Sequence, residues 1–288
     1  MKPRVWQGAP LHGTLLIFAE GGFGDIIQFA RLATLVRSRV GRIVWFLQPY
    51  CESLARLLRT IDGVDEVTTS TDCFGAAEAM VSVLSLPYLC HASLATRPGP
   101  VPYLRADAEA SMRWARRLAH AGWPRVGVAW AGNPGLAQAR SGAIDRRRSI
   151  PLPALAPLLD IRDVTFISLQ KGAAADALGD SPLRARLVDP TAEIDDFSDT
   201  AALAEQLDLI ITVDTSVVHL AGALGRPVWL MNRFDSCWRW GPSRDDAPWY
   251  PTLRIFRQDA FGDWGPVIDR VAAELHRWRS RLQRPSSD

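Results

Sequence analysis

Cysteine is scarce in this 288-residue sequence, and its four copies lie far apart. Because no CxxC pair occurs, the sequence argues against a zinc site and a disulfide scaffold, and we expect a reducing, cytoplasmic environment. The first residues hold no apolar signal core, and no apolar run is long enough to cross a membrane. We therefore expect no transmembrane segment and leave peripheral membrane contact open. The cysteines are Cys51, Cys73, Cys90 and Cys237.

A strong charge of either sign is also missing. The formal net charge is +2, so there is no strong electrostatic case for nucleic-acid binding. Apolar residues make up 48% of the chain and charged residues 22%, both ordinary for a globular protein. The length allows two α/β domains, each with its own core.

The stretch 208–231 predicts a strand, a helix and a second strand. Residues 209–213 form a β-branched apolar run, typical of a strand buried on both faces. Asp214, Thr215 and Ser216 supply N-cap chemistry for the helix that follows. The helix N-terminus favours an anion, which suggests a cradle for a nucleotide diphosphate. An ordinary βαβ unit with a capped helix explains the same pattern.

A glycine-rich turn follows the first predicted strand, residues 14–19. Gly21, Gly22 and Gly24 permit a tight turn and close approach of a ligand to the backbone. Asp25 opens the next helix, where a carboxylate interacts favourably with the helix dipole. It is either an N-cap or a carboxylate that faces a cleft between domains.

This glycine turn does not match the dinucleotide-binding fingerprint. Ile27 stands where the third glycine should be, and the next strand ends at Gln48 instead of an acidic residue. The pattern therefore argues against a nicotinamide-dependent oxidoreductase.

Alternating strand and helix patterns predict two α/β domains. The basic segment 134–149 indicates a loop that either meets phosphates or is a solvated charge run. Lys171, at the end of a strand and beside a glycine, suits the neutralisation of a phosphate. The aromatic loop 237–251 either stacks a sugar or base or covers the sheet. The predicted limits are 1–106 for an N-terminal domain, 107–124 for a bridging helix and linker, 125–262 for a C-terminal domain, and 263–288 for a helix that packs back towards the N-terminal domain.

Several motifs in order resemble the family of bacterial ADP-heptose:lipopolysaccharide heptosyltransferases. The nearer resemblance is to the heptosyltransferase-like domains often found after tetratricopeptide repeats in bacteria, and it covers nearly the whole chain. The motifs are Gly22-Phe-Gly-Asp-Ile-Ile-Gln28, Arg146-Arg-Arg-Ser-Ile-Pro151, Phe166-Ile-Ser-Leu-Gln-Lys-Gly172, Asp196-Phe-Ser-Asp-Thr-Ala-Ala-Leu203, the signature that begins Val213-Asp-Thr-Ser-Val-Val-His219, and Trp249-Tyr-Pro-Thr252.

The resemblance implies a GT-B architecture, in which two Rossmann-like domains face each other across a cleft. The acceptor would bind the N-terminal domain, and the sugar nucleotide would bind the C-terminal domain. It implies inverting sugar transfer from a nucleotide-diphosphate donor, such as an ADP-heptose, to a hydroxyl acceptor, with neither a cofactor nor a metal. Asp25 matches the proposed catalytic base, and Arg148 stands where heptosyltransferases carry a phosphate-binding lysine. The donor would contact Asp214, Thr215, Ser216 and His219.

Two questions stay open at this point. The acceptor is a lipopolysaccharide core, another glycan or a protein, and the sequence does not choose among them. A catalytically silent nucleotide-binding or scaffold module with the same fold is the alternative to an enzyme.

Overall fold

Two parallel β-sheets organise the chain in a computed structural model, which describes residues 3–92, 99–132 and 139–282. The first sheet has the order β1-β5-β2-β3-β4, and the second has the order β11-β10-β9-β6-β7-β8. All neighbouring strands in both sheets are parallel, which confirms the predicted α/β class. The strands are β1 (Arg4–Val5), β2 (Leu11–Phe18), β3 (Val40–Phe46), β4 (Glu66–Thr68), β5 (Ala79–Ser82), β6 (Arg125–Ala129), β7 (Thr165–Ser168), β8 (Leu187–Val188), β9 (Leu209–Val213), β10 (Val228–Asn232) and β11 (Leu253–Arg257).

Helices connect the strands and cover the sheets, as parallel pairing requires. Short 3₁₀ turns join several of them, including one at Trp238–Trp240. The α-helices are α1 (Phe23–Ala30), α2 (Leu32–Val36), α3 (Ala55–Leu58), α4 (Cys73–Ala76), α5 (Leu86–Leu89), α6 (Ala108–Arg117), α7 (Ala139–Arg148), α8 (Ala156–Leu159), α9 (Ala173–Gly179), α10 (Phe197–Glu205), α11 (Ser216–Ala223) and α12 (Gly265–Arg281). Among the described residues, no helix is long and apolar enough to span a bilayer.

The two sheets share one hydrophobic core. Ile17 and Trp45 of the first sheet belong to the same buried cluster as Leu203, Ile210 and Tyr250 of the second domain. The bridging helix α6 contributes Trp114 to that cluster. The predicted cleft is therefore bounded by apolar packing between the domains.

The C-terminal helix α12 does not pack as we expected. Its apolar face lies in a second buried cluster with strands and helices of the C-terminal domain. Val267, Val271 and Leu275 are all fully buried there. The prediction that this helix returns towards the N-terminal domain is corrected, because its apolar stripe covers one face of its own sheet.

The basic segment 134–149 also differs from the prediction. Residues 139–148 form helix α7 in place of a loop, and residues 133–138 lie outside the described part of the chain. The segment has only one large apolar side chain in this range, Ile144, so it lacks the spacing that indicates a helix.

Candidate active site

In an open parallel sheet, ligands usually bind in the crevice where the strand order reverses, and in the second sheet this crevice lies between β6 and β9. These two strands are neighbours, and the chain leads outward from β6 to β7 and β8, but outward from β9 to β10 and β11 on the other side. Ligands of open α/β sheets bind at the carboxyl ends of the strands where the order reverses. Helix α7 follows β6 and helix α11 follows β9, so both border this crevice.

Arg148 meets the N-terminus of α11. Its Nη1 donates a hydrogen bond of 2.7 Å to the backbone oxygen of Asp214. Thr215 is the N-cap, and its hydroxyl accepts from the backbone N–H of Val217 at 3.4 Å. Ser216 is the first helical residue. The guanidinium of Arg148 therefore lies at the positive N-terminal end of α11.

Charge near this point is balanced by carboxylates. Arg148 also forms an ion pair with Asp145, three residues earlier on α7. Removal from water raises the pKa of the Asp214 carboxyl, and the nearby guanidinium of Arg148 opposes that rise.

His219 lies beneath the helix start, in contact with aromatic side chains. It is only 5% exposed, its Nδ1 is 3.0 Å from the hydroxyl of Tyr250, and its ring stacks on Trp240 with centroids 5.3 Å apart. Burial lowers the pKa of His219 well below its usual value, and Arg239 adds to the effect. The imidazole is therefore neutral at pH 7.

Lys171 stands at the end of β7 with its ammonium already engaged. Its Nζ donates to the backbone oxygens of Thr191 at 3.0 Å and Ile194 at 2.7 Å. The structure thus turns Lys171 towards the segment after β8, while Arg148 lies at the start of α11. One of its three N–H donors remains for a ligand.

The glycine turn brings Asp25 to the start of α1. Gly21 has φ +88°, a conformation that favours glycine. Gly22 is the N-cap, and its backbone N–H donates to Oδ2 of Asp25 at 3.0 Å. A Cβ at Gly24 would lie 2.7 Å from Cδ2 of His219. Glycine at this position therefore lets α1 of the first domain pack directly against α11.

Arg239 is a site residue that the sequence did not reveal. It forms an ion pair with Oδ1 of Asp25, 214 positions away in the chain. Its Nε donates to Oε1 of the buried Gln28 at 2.6 Å. A distant pair of this kind leaves no local pattern, and the segment around it indicated only an aromatic loop.

That aromatic loop is mainly a cover over the core. Trp240 and Trp249 are almost fully buried, whereas Trp238 is 54% exposed. Arg31, a second residue missed from the sequence, is buried beneath this cover and donates to the backbone oxygen of Trp249 at 2.7 Å. Its guanidinium lies 4.4 Å from the ring centroid of Tyr103.

Two cavities have none of the predicted site residues in their lining, although the smaller one is lined by Arg147 and Ser149, the neighbours of Arg148. The larger, of about 590 Å³, lies beside β11 and α12 and is lined by several arginines, including Arg257 and Arg270. The smaller, of about 280 Å³, is lined by residues that include Arg147, Phe261 and Trp264. Within residues 3–92, 99–132 and 139–282, no three His, Cys, Asp or Glu side chains cluster as metal ligands would.

Comparison with known proteins gives a family match. Residues 195–246 match the model of glycosyltransferase family 9 (heptosyltransferase). The predicted family resemblance is confirmed. The matched range contains α10, the signature that begins at Val213 and the part of the aromatic loop that carries Arg239, and it supports the glycosyltransferase activity that the resemblance implied.

Solved structures share the fold over nearly the whole chain. E. coli ADP-heptose LPS heptosyltransferase II matches with a TM-score of 0.62 and 14% identity, covering 93% of this chain and 100% of that one. E. coli heptosyltransferase WaaC, solved with ADP-2-deoxy-2-fluoro heptose, matches with a TM-score of 0.51 and 12% identity, covering 93% and 99%. The predicted GT-B architecture is therefore confirmed.

A curated protein is more similar in sequence. Protein FlbA of Caulobacter vibrioides is 27% identical over 294 residues, a match that covers 94% of this chain and 48% of FlbA. The chain thus spans about half the length of that relative.

Proposed function

We propose that this chain is a metal-independent, inverting glycosyltransferase that moves a sugar from a nucleotide-diphosphate donor to a hydroxyl acceptor. The observation that carries the proposal is the convergence of Arg148 with the capped N-terminus of α11. A leaving diphosphate develops negative charge as the glycosidic bond breaks. A guanidinium and a helix N-terminus, both fixed before the reaction, stabilise that charge without reorganisation.

Asp25 is the proposed general base. It projects from the first domain at the start of α1, next to the donor helix. In a transition state with oxocarbenium character, the acceptor proton is transferred late, so a carboxylate suffices as the base. The acceptor hydroxyl would attack the anomeric carbon from the side opposite the diphosphate, which gives inversion.

The donor is proposed to resemble ADP-heptose, because the structural match WaaC was solved with such an ADP sugar. The Arg148 site fits the diphosphate of any such nucleotide, so a nucleotide screen must decide the base. The scattered free cysteines fit a cytoplasmic location, where nucleotide sugars are available.

The first test is thermal stabilisation by ADP, GDP, UDP, CDP and TDP without added metal. A nucleotide at about a hundred times its dissociation constant adds roughly 2.7 kcal/mol to stability. One nucleotide should stand out, and Arg148→Ala and Thr215→Ala should weaken its effect. Asp25→Ala should then abolish transfer and keep nucleotide binding; loss of binding would refute its role as base.

A silent nucleotide-binding or scaffold module is the second candidate. It is favoured by the pairing of Asp25 with Arg239 and by the close packing of α1 on α11. A nucleotide that binds tightly, with no transfer or hydrolysis of its sugar conjugates, would favour this second candidate. If no nucleotide stabilises the protein, only the scaffold role remains.

A further inference from the structure

One face of α1 holds the guanidinium of Arg239. Asp25, Gln28 and Phe29 occupy positions i, i+3 and i+4 of this helix, so their side chains lie on the same side. Asp25 supplies the carboxylate, Gln28 supplies an amide oxygen at 2.6 Å, and the ring centroid of Phe29 lies 5.4 Å from the guanidinium carbon. The arginine belongs to the second domain, so this contact joins the two domains.

The same guanidinium borders the donor side of the crevice. Arg239 and Arg148 both act electrostatically on Asp214 and on His219, which flank the start of α11. The Arg239 side chain is 16% exposed, and its Nη1 donates to Sγ of Cys237 at 3.0 Å. A Cβ at Gly24, the residue before Asp25, would lie 3.7 Å from Cα of Ser216, the first residue of α11. Arg239, paired with Asp25, therefore lies near both the proposed base and the proposed diphosphate site.

In this arrangement each oxygen of Asp25 already accepts a hydrogen bond. Oδ2 accepts from the backbone N–H of Gly22, and Oδ1 pairs with Arg239. The Gly22 bond is part of the helix cap and persists. An acceptor hydroxyl that approaches Oδ1 therefore meets the guanidinium of Arg239 beside that oxygen.

On the basis of the proposed function, we propose that Arg239 is a positioning residue, which leaves Asp25 and pairs with the donor diphosphate when the donor binds. A diphosphate beside Arg148 offers the guanidinium a doubly charged partner, and bidentate arginine–phosphate pairs are among the strong charge-assisted hydrogen bonds. Donor binding thus uncovers Oδ1 of Asp25.

Transfer of the sugar then follows as one displacement. The acceptor proton moves to Oδ1, the acceptor oxygen bonds to the anomeric carbon, and the bond to the diphosphate breaks with its electron pair on the departing oxygen. Arg148 and Arg239 meet the resulting charge. The coupling keeps the base covered whenever no donor is bound.

The test is a double-mutant cycle on nucleotide affinity, measured by calorimetry with ADP or with whichever nucleoside diphosphate the screen selects. Asp25→Asn keeps an oxygen for the N–H of Gly22 but releases Arg239. We expect it to tighten binding about tenfold when Arg239 is present. In the Arg239→Gln background, only the direct repulsion between carboxylate and diphosphate is removed, so the gain should fall below about threefold.

Two further variants sharpen the result. Arg239→Lys keeps the charge but loses the planar fork, so an intermediate coupling is expected. Arg244→Gln removes an arginine that pairs with Asp246 in the same loop region, and it should leave nucleotide affinity unchanged. All variants are compared at equal folded fraction, checked by their unfolding transitions.

If Asp25→Asn changes nucleotide affinity by the same factor with Arg239 and with Arg239→Gln, this inference is overturned, because Arg239 would then only hold the two domains together. Nucleotide binding that still depends on Arg148 would leave the proposed function standing in that case. Failure of the wild-type protein to bind any nucleoside diphosphate would overturn both.

Discussion

The contact between α11 and Tyr250 gives the most direct test of the packing. A Cβ at Gly222 would lie 2.5 Å from both Cγ and Cδ1 of the Tyr250 ring. Real Cβ contacts essentially never fall below 3.0 Å, so Gly222→Ala must displace the helix or the ring. Tyr250 is fully buried, and its hydroxyl lies 3.0 Å from Nδ1 of His219. The ring therefore has little freedom to move.

The expected magnitude follows from two opposed effects. Replacing glycine with alanine in a helix stabilises it by up to about 1 kcal/mol. Overpacking a core costs about 1–3 kcal/mol. Because the ring is rigid and buried, we expect Gly222→Ala to lower the free energy of unfolding by about 1–2 kcal/mol. That corresponds to a fall in Tm of roughly 2–4 °C for each kcal/mol in a chain of this size.

Gly179→Ala is the matched control. Gly179 is also helical, at the end of α9, and no neighbouring atom lies within 4 Å of the position that an added Cβ would take. This variant should be neutral or slightly stabilising in the same denaturant titration. If Gly222→Ala behaves like Gly179→Ala, Tyr250 is not held against α11 and the described interface is refuted.

Three further outcomes are expected. Below about pH 6.5, the unfolded chain binds a proton at His219 that the folded protein, with its lowered pKa, does not bind. The free energy of unfolding should therefore fall by at most about 1.4 kcal/mol per pH unit. The plot of this free energy against pH should be flatter for His219→Phe, and an unchanged slope would contradict burial of a neutral ring. Arg31→Lys should lower the free energy of unfolding, measured by urea titration, by about 2 kcal/mol, since an ammonium cannot keep both the bond to the Trp249 oxygen and the stacking on Tyr103. A urea midpoint equal to that of the wild type would refute this. Thr215→Ala should cost about 1 kcal/mol through loss of the N-cap, and no change in the denaturant midpoint would argue against the cap.

Local patterns were enough to predict the sheets and the capped helix α11. The run of residues 209–213 is buried at every position, as its β-branched composition indicated, and Thr215 caps the next helix as expected. These features depend on neighbours in the sequence, so their signals are local. Helix α7 was missed because it has almost no apolar face; Arg148 links it instead to the start of α11, through the backbone oxygen of Asp214.

The contacts between the domains could not be predicted in the same way. Asp25 and Arg239 are each ordinary in their own segments, and their pairing depends on how two sheets are oriented. The same holds for Gly24, which the sequence assigned to a ligand-binding turn. The structure gives it a packing role as well, because His219 occupies the space that a side chain would need.

These contacts connect the first domain to the proposed donor site. Gly24 lies against His219, and the three residues that hold Arg239 follow it on α1, so this face of the helix contacts elements of the second domain. A separation of α1 from α11 would break the ion pair and expose Phe29 together, which makes a wide opening of the domains costly. A local exchange at Arg239 requires only one side chain to move. Substitutions on this face of α1 should therefore alter nucleotide affinity, although they lie in the domain assigned to the acceptor.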